Sequence, residues 1–218
     1  MMWPTTPDAL VAWQAELAGE APPRFEGGGP VGGCFVCFPR GETGPGARGD
    51  RAWAAAAVGD ETAVVTGEAG APYVAGQLAL REGPLLEAAV RALPNPPAVL
   101  LVDATGRDHP RHAGLATSLG AILEVPTVGV THRPLLAAGD WPDDRRGATA
   151  PLRIGDDTVA CWLRVRAGVR PLAVHPAWRT DLEAAIDVVL TTTARVRTPQ
   201  PLRTARTAAR RRRGQDGS

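Results

Sequence analysis

The sequence contains no lysine, so arginine supplies all 24 of its basic side chains. That absence reads as genomic base composition rather than as function, although a planar guanidinium suits phosphate and base contacts. An excess of either charge is also missing: the 24 basic residues face 23 acidic ones, for a net charge of +1. No global field therefore draws the chain to nucleic acid, and any such binding has to come from local patches. No apolar run reaches the roughly twenty residues that span a bilayer, and the N-terminus lacks a basic-then-apolar signal pattern. A cytoplasmic protein with no membrane partner is the expectation. Aromatic residues are scarce, with Tyr73 the one tyrosine beside three phenylalanines. Of the three cysteines, Cys34 and Cys37 form a CxxC that invites a redox or zinc reading. Residues three apart on a strand face opposite ways, however, and no second ligand pair follows. They are read, with Cys161, as buried thiols.

A chain of 218 residues can bury a full core as one α/β unit. Residues 1–30 read as an amphipathic helix over 2–18, carrying Trp3, Leu10, Val11, Trp13 and Leu17, followed by a Pro- and Gly-rich loop. Residues 31–197 form the main domain. Its first strand is 31–38, and strands at 53–58 and 62–68 follow a polar loop. Further on come a strand pair at 158–165 and 172–175 and a closing helix at 181–190, capped by Thr180 or Asp181. From residue 198 the chain turns Arg-rich, and the run Arg210 to Arg213 predicts a disordered, solvated tail that adds nonspecific phosphate attraction.

Within the main domain one pair of acids stands out. Asp103 ends the apolar run 98–102 and reads as the last residue of a buried strand, where open α/β sheets place their chemistry. Glu82 directly precedes Gly83 and Pro84. With proline at the first helical position and apolar residues following, Glu82 is expected at a helix N-terminus. Acids so placed can share one divalent cation through hard oxygen ligands. On spacing alone, two unrelated solvated groups are the stronger reading.

Several ordered motifs surround this pair. Pro72-Tyr73-Val74-Ala75-Gly76 is followed by Leu80-Arg81-Glu82-Gly83-Pro84, then by Asp103-Ala104-Thr105-Gly106 and by His109-Pro110-Arg111-His112-Ala113-Gly114. Pro126-Thr127-Val128-Gly129-Val130 and the segment Arg146 to Leu152 complete the set. From about Val31 to about Pro201 the chain resembles the endonuclease V family, which cuts a strand near a deaminated base, chiefly inosine or deoxyinosine, in DNA repair. The resemblance implies an RNase H-like α/β domain, a mixed central sheet flanked by helices, acting as a monomer. It implies magnesium held by Glu82 and Asp103. It makes Pro72, Tyr73 and Gly76 a wedge that enters the strand and extrudes the base. Ala104, Gly106, Gly114 and Leu115 become the base pocket, while His109 and His132 contact phosphate or metal-bound water.

The chain also departs from the family pattern. Phe35 stands where the first strand carries a metal-ligand aspartate, and an aromatic ring cannot ligate a hard cation. Glu42 or Asp50, in the loop that follows, offers a replacement carboxylate. Ala104 replaces a pocket glycine, and His132 falls on a lysine. Trp178 falls on a site histidine, unless a one-residue shift brings in His175. Arg111 and His112 read as a solvated first turn. Three functions remain open: an active magnesium-dependent endonuclease V, a protein that recognises a deaminated base with cleavage lost or much reduced, and a small-molecule enzyme with Phe35 and Trp178 as stacking walls. The second is the reading the residues favour.

Overall fold

In the computed structural model, residues 1–41 and 44–217 are described. Glu42 lies outside them. Eight strands form one mixed sheet in the order β3-β2-β1-β4-β5-β8-β7-β6. They are β1 (Val31–Cys37), β2 (Arg51–Val58), β3 (Glu61–Glu68), β4 (Val99–Val102), β5 (Thr127–Thr131), β6 (Thr149–Ile154), β7 (Asp157–Leu163) and β8 (Leu172–Pro176). The three central strands β1, β4 and β5 run parallel, and every other pairing is antiparallel. This is the RNase H-like arrangement that the motifs imply. The β2–β3 hairpin closes over Gly59, whose φ is 56°, in the left-handed region that suits such a turn.

β4 shows how the sheet divides the core. Its residues alternate faces: Leu100 and Val102 pack with helices α2 (Leu78–Arg91) and α3 (Leu115–Leu123), while Val99 and Leu101 pack toward α4 (Leu182–Thr191) and α5 (Gln200–Asp216). Helix α1 (Pro7–Gly19) lies over α2 and α3. It begins later than the apolar pattern predicts because the Thr6 Oγ1 accepts from Ala9 N, capping the helix with Pro7 in its first turn. Trp3, left outside, stacks edge-on against Trp13 and donates to Glu87 across 2.7 Å. Among the described residues no helix is long and apolar enough to cross a membrane.

Two helices overturn expectations. Pro84 does not begin α2; it lies inside it, and the helix starts at Leu78. Proline removes one ladder bond and crowds the preceding turn, yet tertiary packing carries the helix through. Gly83 has no side chain, and the Trp3 ring packs against it so closely that a Cβ there would lie 2.5 Å from Cη2. Glu82 therefore sits within the helix, not at its N-terminus. The Arg-rich tail is also not disordered: it is the 17-residue helix α5, with Pro201, Leu202, Ala205 and Ala209 buried on β1 and β2. Those small residues recur at helical spacing among the arginines. Gly33 admits the helix backbone, since a Cβ there would lie 2.6 Å from Leu202 N.

Candidate nucleic-acid site

At the C-terminal ends of the parallel strands two chambers open side by side. The first, about 210 Å³, lies between the loop carrying Tyr73 to Gly76 and the chain after β4, with Ala104, Thr105, His109, Leu115 and Leu135 in its walls. Tyr73 stands at its mouth, 48% exposed, so it is no core aromatic. The loop is held at Gly76, whose φ of 78° is open to glycine. Its carbonyl accepts from Arg111 Nη2 at 2.7 Å and pairs with His109 Nε2 at 3.1 Å. Because His109 Nδ1 accepts from Arg111 N at 3.2 Å, the proton of a neutral ring belongs on Nε2. Burial pushes the His109 pKa down to about 4, which keeps the ring neutral near pH 7.

Two residues that the sequence reading passed over, Gln14 and Asp108, complete this scaffold. Gln14, buried on α1, takes Arg111 Nε at 2.7 Å and donates to Ala113 O at 2.8 Å. Arg111 is thus a brace rather than a solvated first turn. Asp108, fully buried, accepts from the backbone N–H groups of Leu135, Leu136 and Ala137 at 2.6, 2.8 and 2.8 Å, fixing the loop that roofs the chamber. Gln14 carried a legible signal, a polar residue at a core position between Leu10 and Leu17. Pro72, Gly106 and Gly114 are not among the lining residues. Gly106 O accepts from Gly114 N at 2.8 Å, and a side chain on Gly106 would strike the Pro176 carbonyl. Those glycines let the loop close-pack behind the chamber.

The second chamber, about 240 Å³, contains Cys34, Phe35, Glu82 and Asp103, and shares Tyr73, Leu78 and Asp103 with the first. The pair expected from the sequence is thus brought together. Burial, reinforced by the Asp103 charge against the opposing pull of Arg81, pushes the Glu82 pKa up to about 7. Cys34 shares this chamber with the acids, and burial with their charges raises its thiol, which stays protonated. The CxxC divides across the sheet, Cys34 entering the core on the α2 side and Cys37 the cluster under α5, so both are buried free thiols. Cys161 is a third, pushed up to about 12 by burial.

Phe35 faces α5. The guanidinium of Arg206 lies 5.0 Å from its ring centre and that of Arg210 5.6 Å, both within cation–π range. Arg206 Nη2 also donates to Asp103 Oδ2 at 3.0 Å. Asp50, the suggested replacement carboxylate, is committed elsewhere: it accepts from Arg81 Nη2 and from Ala47 N, each at 2.7 Å, and the Arg81 bond holds it below the usual carboxylate range. Arg81 in turn donates to Ala47 O and Ala71 O, each at 2.8 Å, and lies 4.2 Å from the Phe38 ring. His132 is exposed beyond β5 and is not among the residues lining either chamber. Its pKa is lowered by burial and by Arg197 and Arg206. His175 is fully buried with Nε2 2.9 Å from Oγ1 of Thr131, a lining residue of the first chamber, but does not itself line either chamber.

Trp178 corrects the alignment reading. It is buried with Leu17, Ala113 and Ala121 beneath α1 and α3 and lines neither chamber. One of the two stacking walls of the small-molecule reading is therefore absent, since Trp178 belongs to the core, while Phe35 lines the second chamber with arginines against its ring. Magnesium fares no better. Asp103 is paired with a guanidinium, Phe35 offers no oxygen, and the Glu82 carboxyl is desolvated. Among the described residues no group of three His, Cys, Asp or Glu is placed to hold a metal ion. Magnesium is commonly held by one or two carboxylates beside waters and substrate oxygens; with one of this pair engaged by Arg206 and the other desolvated, the residues present fit it poorly.

An RNase H-like sheet with paired acids and a base-sized chamber at its parallel strand ends belongs to a class of nucleic-acid-processing folds. Comparison with known proteins identifies the branch. The endonuclease V family model matches residues 51–207, a span that opens at β2 and leaves β1 outside it. An endonuclease V of Streptomyces avermitilis is 37% identical over 220 residues, covering 96% of this chain and 93% of the relative. The crystal structure of an S. avermitilis endonuclease V superposes with a TM-score of 0.86 at 35% identity, covering 99% of this chain and 96% of that one. The catalytic domain of human endonuclease V superposes at 0.82 with 29% identity, covering 96% and 97%. The Ciona intestinalis enzyme, solved with a 24-mer DNA containing an inosine followed by a ribo-adenosine, shares the fold at 20% identity and a TM-score of 0.75, covering 96% and 99%. The chain belongs to the endonuclease V family.

Proposed function

We propose that this family member recognises a nucleic-acid strand carrying a deaminated base, inosine or deoxyinosine, with strand cleavage lost or greatly reduced. The observation that carries this reading is the Arg206 guanidinium placed 3.0 Å from Asp103, directly beside a base chamber whose loop is fully braced. Tyr73 projects from a loop clamped at Gly76, the geometry wanted for a wedge that keeps its shape as it separates stacked bases. Extruding a base costs a few kcal/mol, least where pairing is already weak. The chamber of about 210 Å³ receives it between Leu115 and the roof loop, with the backbone at Ala104 and Thr105 within reach of its polar edge. The similarity to endonuclease V, and the inosine-containing DNA held by the Ciona protein, support that ligand class.

Cleavage is another matter. Phosphodiester hydrolysis at such sites depends on metal-held oxygens, and losing a ligand removes several kcal/mol of transition-state stabilisation, or orders of magnitude in rate. The test pairs retention with nicking. A labelled deoxyinosine strand and its undamaged counterpart are titrated by fluorescence anisotropy, then incubated with magnesium and with manganese. Preferential retention of the inosine strand without nicking is the expected result. Metal-dependent nicking that disappears in Glu82→Ala and Asp103→Ala would overturn it, as would equal affinity for both strands.

A further inference from the structure

Helix α5 holds six arginines against the single acid Asp216, whereas the whole chain carries a net charge of only +1. The positive field is therefore concentrated on one element. Arg206, Arg210 and Arg213 are spaced by four and three residues along α5, which places them on one helical face. That face begins at the carboxylate chamber. Arg206 pairs with Asp103 at 3.0 Å, Arg210 lies over Phe35 with its guanidinium 5.6 Å from the ring centre, and Arg213 Nη1 donates to Phe38 O at 2.9 Å. Arg206 uses one of its donors on Asp103 among the described residues; its Nε has no partner. Arg210 is exposed and makes no ion pair among the described residues.

We propose that Arg206 is the resident cation of this cleft, and that Arg206, Arg210 and Arg213 form a track that engages the phosphodiester backbone of a bound strand without a divalent metal. The proposal rests on the nucleic-acid reading above but concerns the backbone, not the deaminated base. A guanidinium offers several N–H donors to a phosphate and keeps its charge at every physiological pH. Phe35 serves the track by seating two of its members against an aromatic face. Asp103 becomes the group that orients Arg206.

The test uses the full chain and a labelled oligothymidylate that contains no deaminated base, followed by anisotropy over a salt series in EDTA and in magnesium. Affinity should be the same within about twofold in the two buffers. Arg210→Gln and Arg213→Gln should each lower the slope of log affinity against log salt by about one, as the loss of one phosphate contact does. They should weaken oligothymidylate and the deoxyinosine strand equally, with thermal unfolding unchanged. Arg206→Lys, which keeps the charge and spares Asp103 an unpaired state, should retain the slope. An affinity that collapses in EDTA and returns with magnesium overturns the proposal, as does an unchanged slope in the Arg210→Gln/Arg213→Gln double variant. A change confined to the ratio between the two strands would instead bear on the base-recognition reading.

Discussion

The two chambers share Tyr73, Leu78 and Asp103, yet they are built in opposite ways. The base chamber is held by a network of hydrogen bonds, most of them to backbone: His109 and Arg111 on Gly76, Gln14 behind Arg111, and Asp108 on three successive amides. Each of those groups is satisfied, so the loops they fix have one low-energy arrangement. The carboxylate chamber has an acid whose pKa is driven up to about 7 and another paired with an arginine from a different helix. Shape has been kept where a base would rest, and charge has been rearranged where a metal would rest. On the proposed function, recognition and cleavage make separable demands on adjacent walls, and the braced chamber serves the first.

Breaking the base side should have the largest effect. Asp108→Ala leaves three amides without an acceptor, one buried and two part-buried, and a loss of about 3 kcal/mol in stability is expected, since each unsatisfied buried donor costs roughly 1–3 kcal/mol. Urea unfolding measures it, and a loss below about 1 kcal/mol would mean that the roof loop is not set by this carboxylate. Acid comes next. The His109 pKa falls from 6.5 to about 4 on folding, so the stability it contributes is complete above pH 6.5 and is lost as the pH drops through 4. The full effect is about 3 kcal/mol, and His109→Gln should flatten the acid limb of a stability-versus-pH curve.

The carboxylate side responds in the opposite direction. The Glu82 pKa rises from 4.5 to about 7 on folding. Stability associated with the neutral carboxyl is therefore full below pH 4.5 and is lost as the pH rises through 7. Glu82→Gln should stabilise the protein by about 3 kcal/mol at pH 8 and by almost nothing at pH 4. Thermal melts at the two pH values check the sign, and destabilisation at pH 8 would show that the charged form has a partner. The smallest effect on the fold belongs to Tyr73→Ala. Its side chain is exposed, so stability should change by less than about 0.5 kcal/mol, while preference for the deoxyinosine strand falls by about 1–3 kcal/mol, the worth of one stacked base. Unchanged preference would remove Tyr73 from recognition.

What the sequence revealed and what it hid follow from range. Most strands announced themselves through apolar runs and turns, although β6, at the motif segment Arg146 to Leu152, did not; α4 was marked by Asp181, which caps it as expected. The pairing of Glu82 with Asp103 was legible from their motifs. The start of α2 was misread because Pro84 is a local signal, whereas the Trp3 contact on Gly83 that sustains the helix comes from a segment some eighty residues away. The order of α5 was missed for a related reason. Four consecutive arginines weigh heavily in composition, while Leu202, Ala205 and Ala209 matter only once β1 and β2 are there to receive them.

By itself the sequence determined the RNase H-like class, the family and the meeting of the two acids, because these rest on short-range patterning and on motifs that keep their order along the chain. Only the tertiary structure decided that Arg206 pairs with Asp103, that Arg111 braces Gly76 through Gln14, and that Trp178 lies in the core. Those pairs are separated in the chain by 103, 97 and 35 residues for Arg206–Asp103, Arg111–Gln14 and Arg111–Gly76. A guanidinium's partner is whichever acceptor the folded sheet brings within about 3 Å, and no local pattern encodes which one that is.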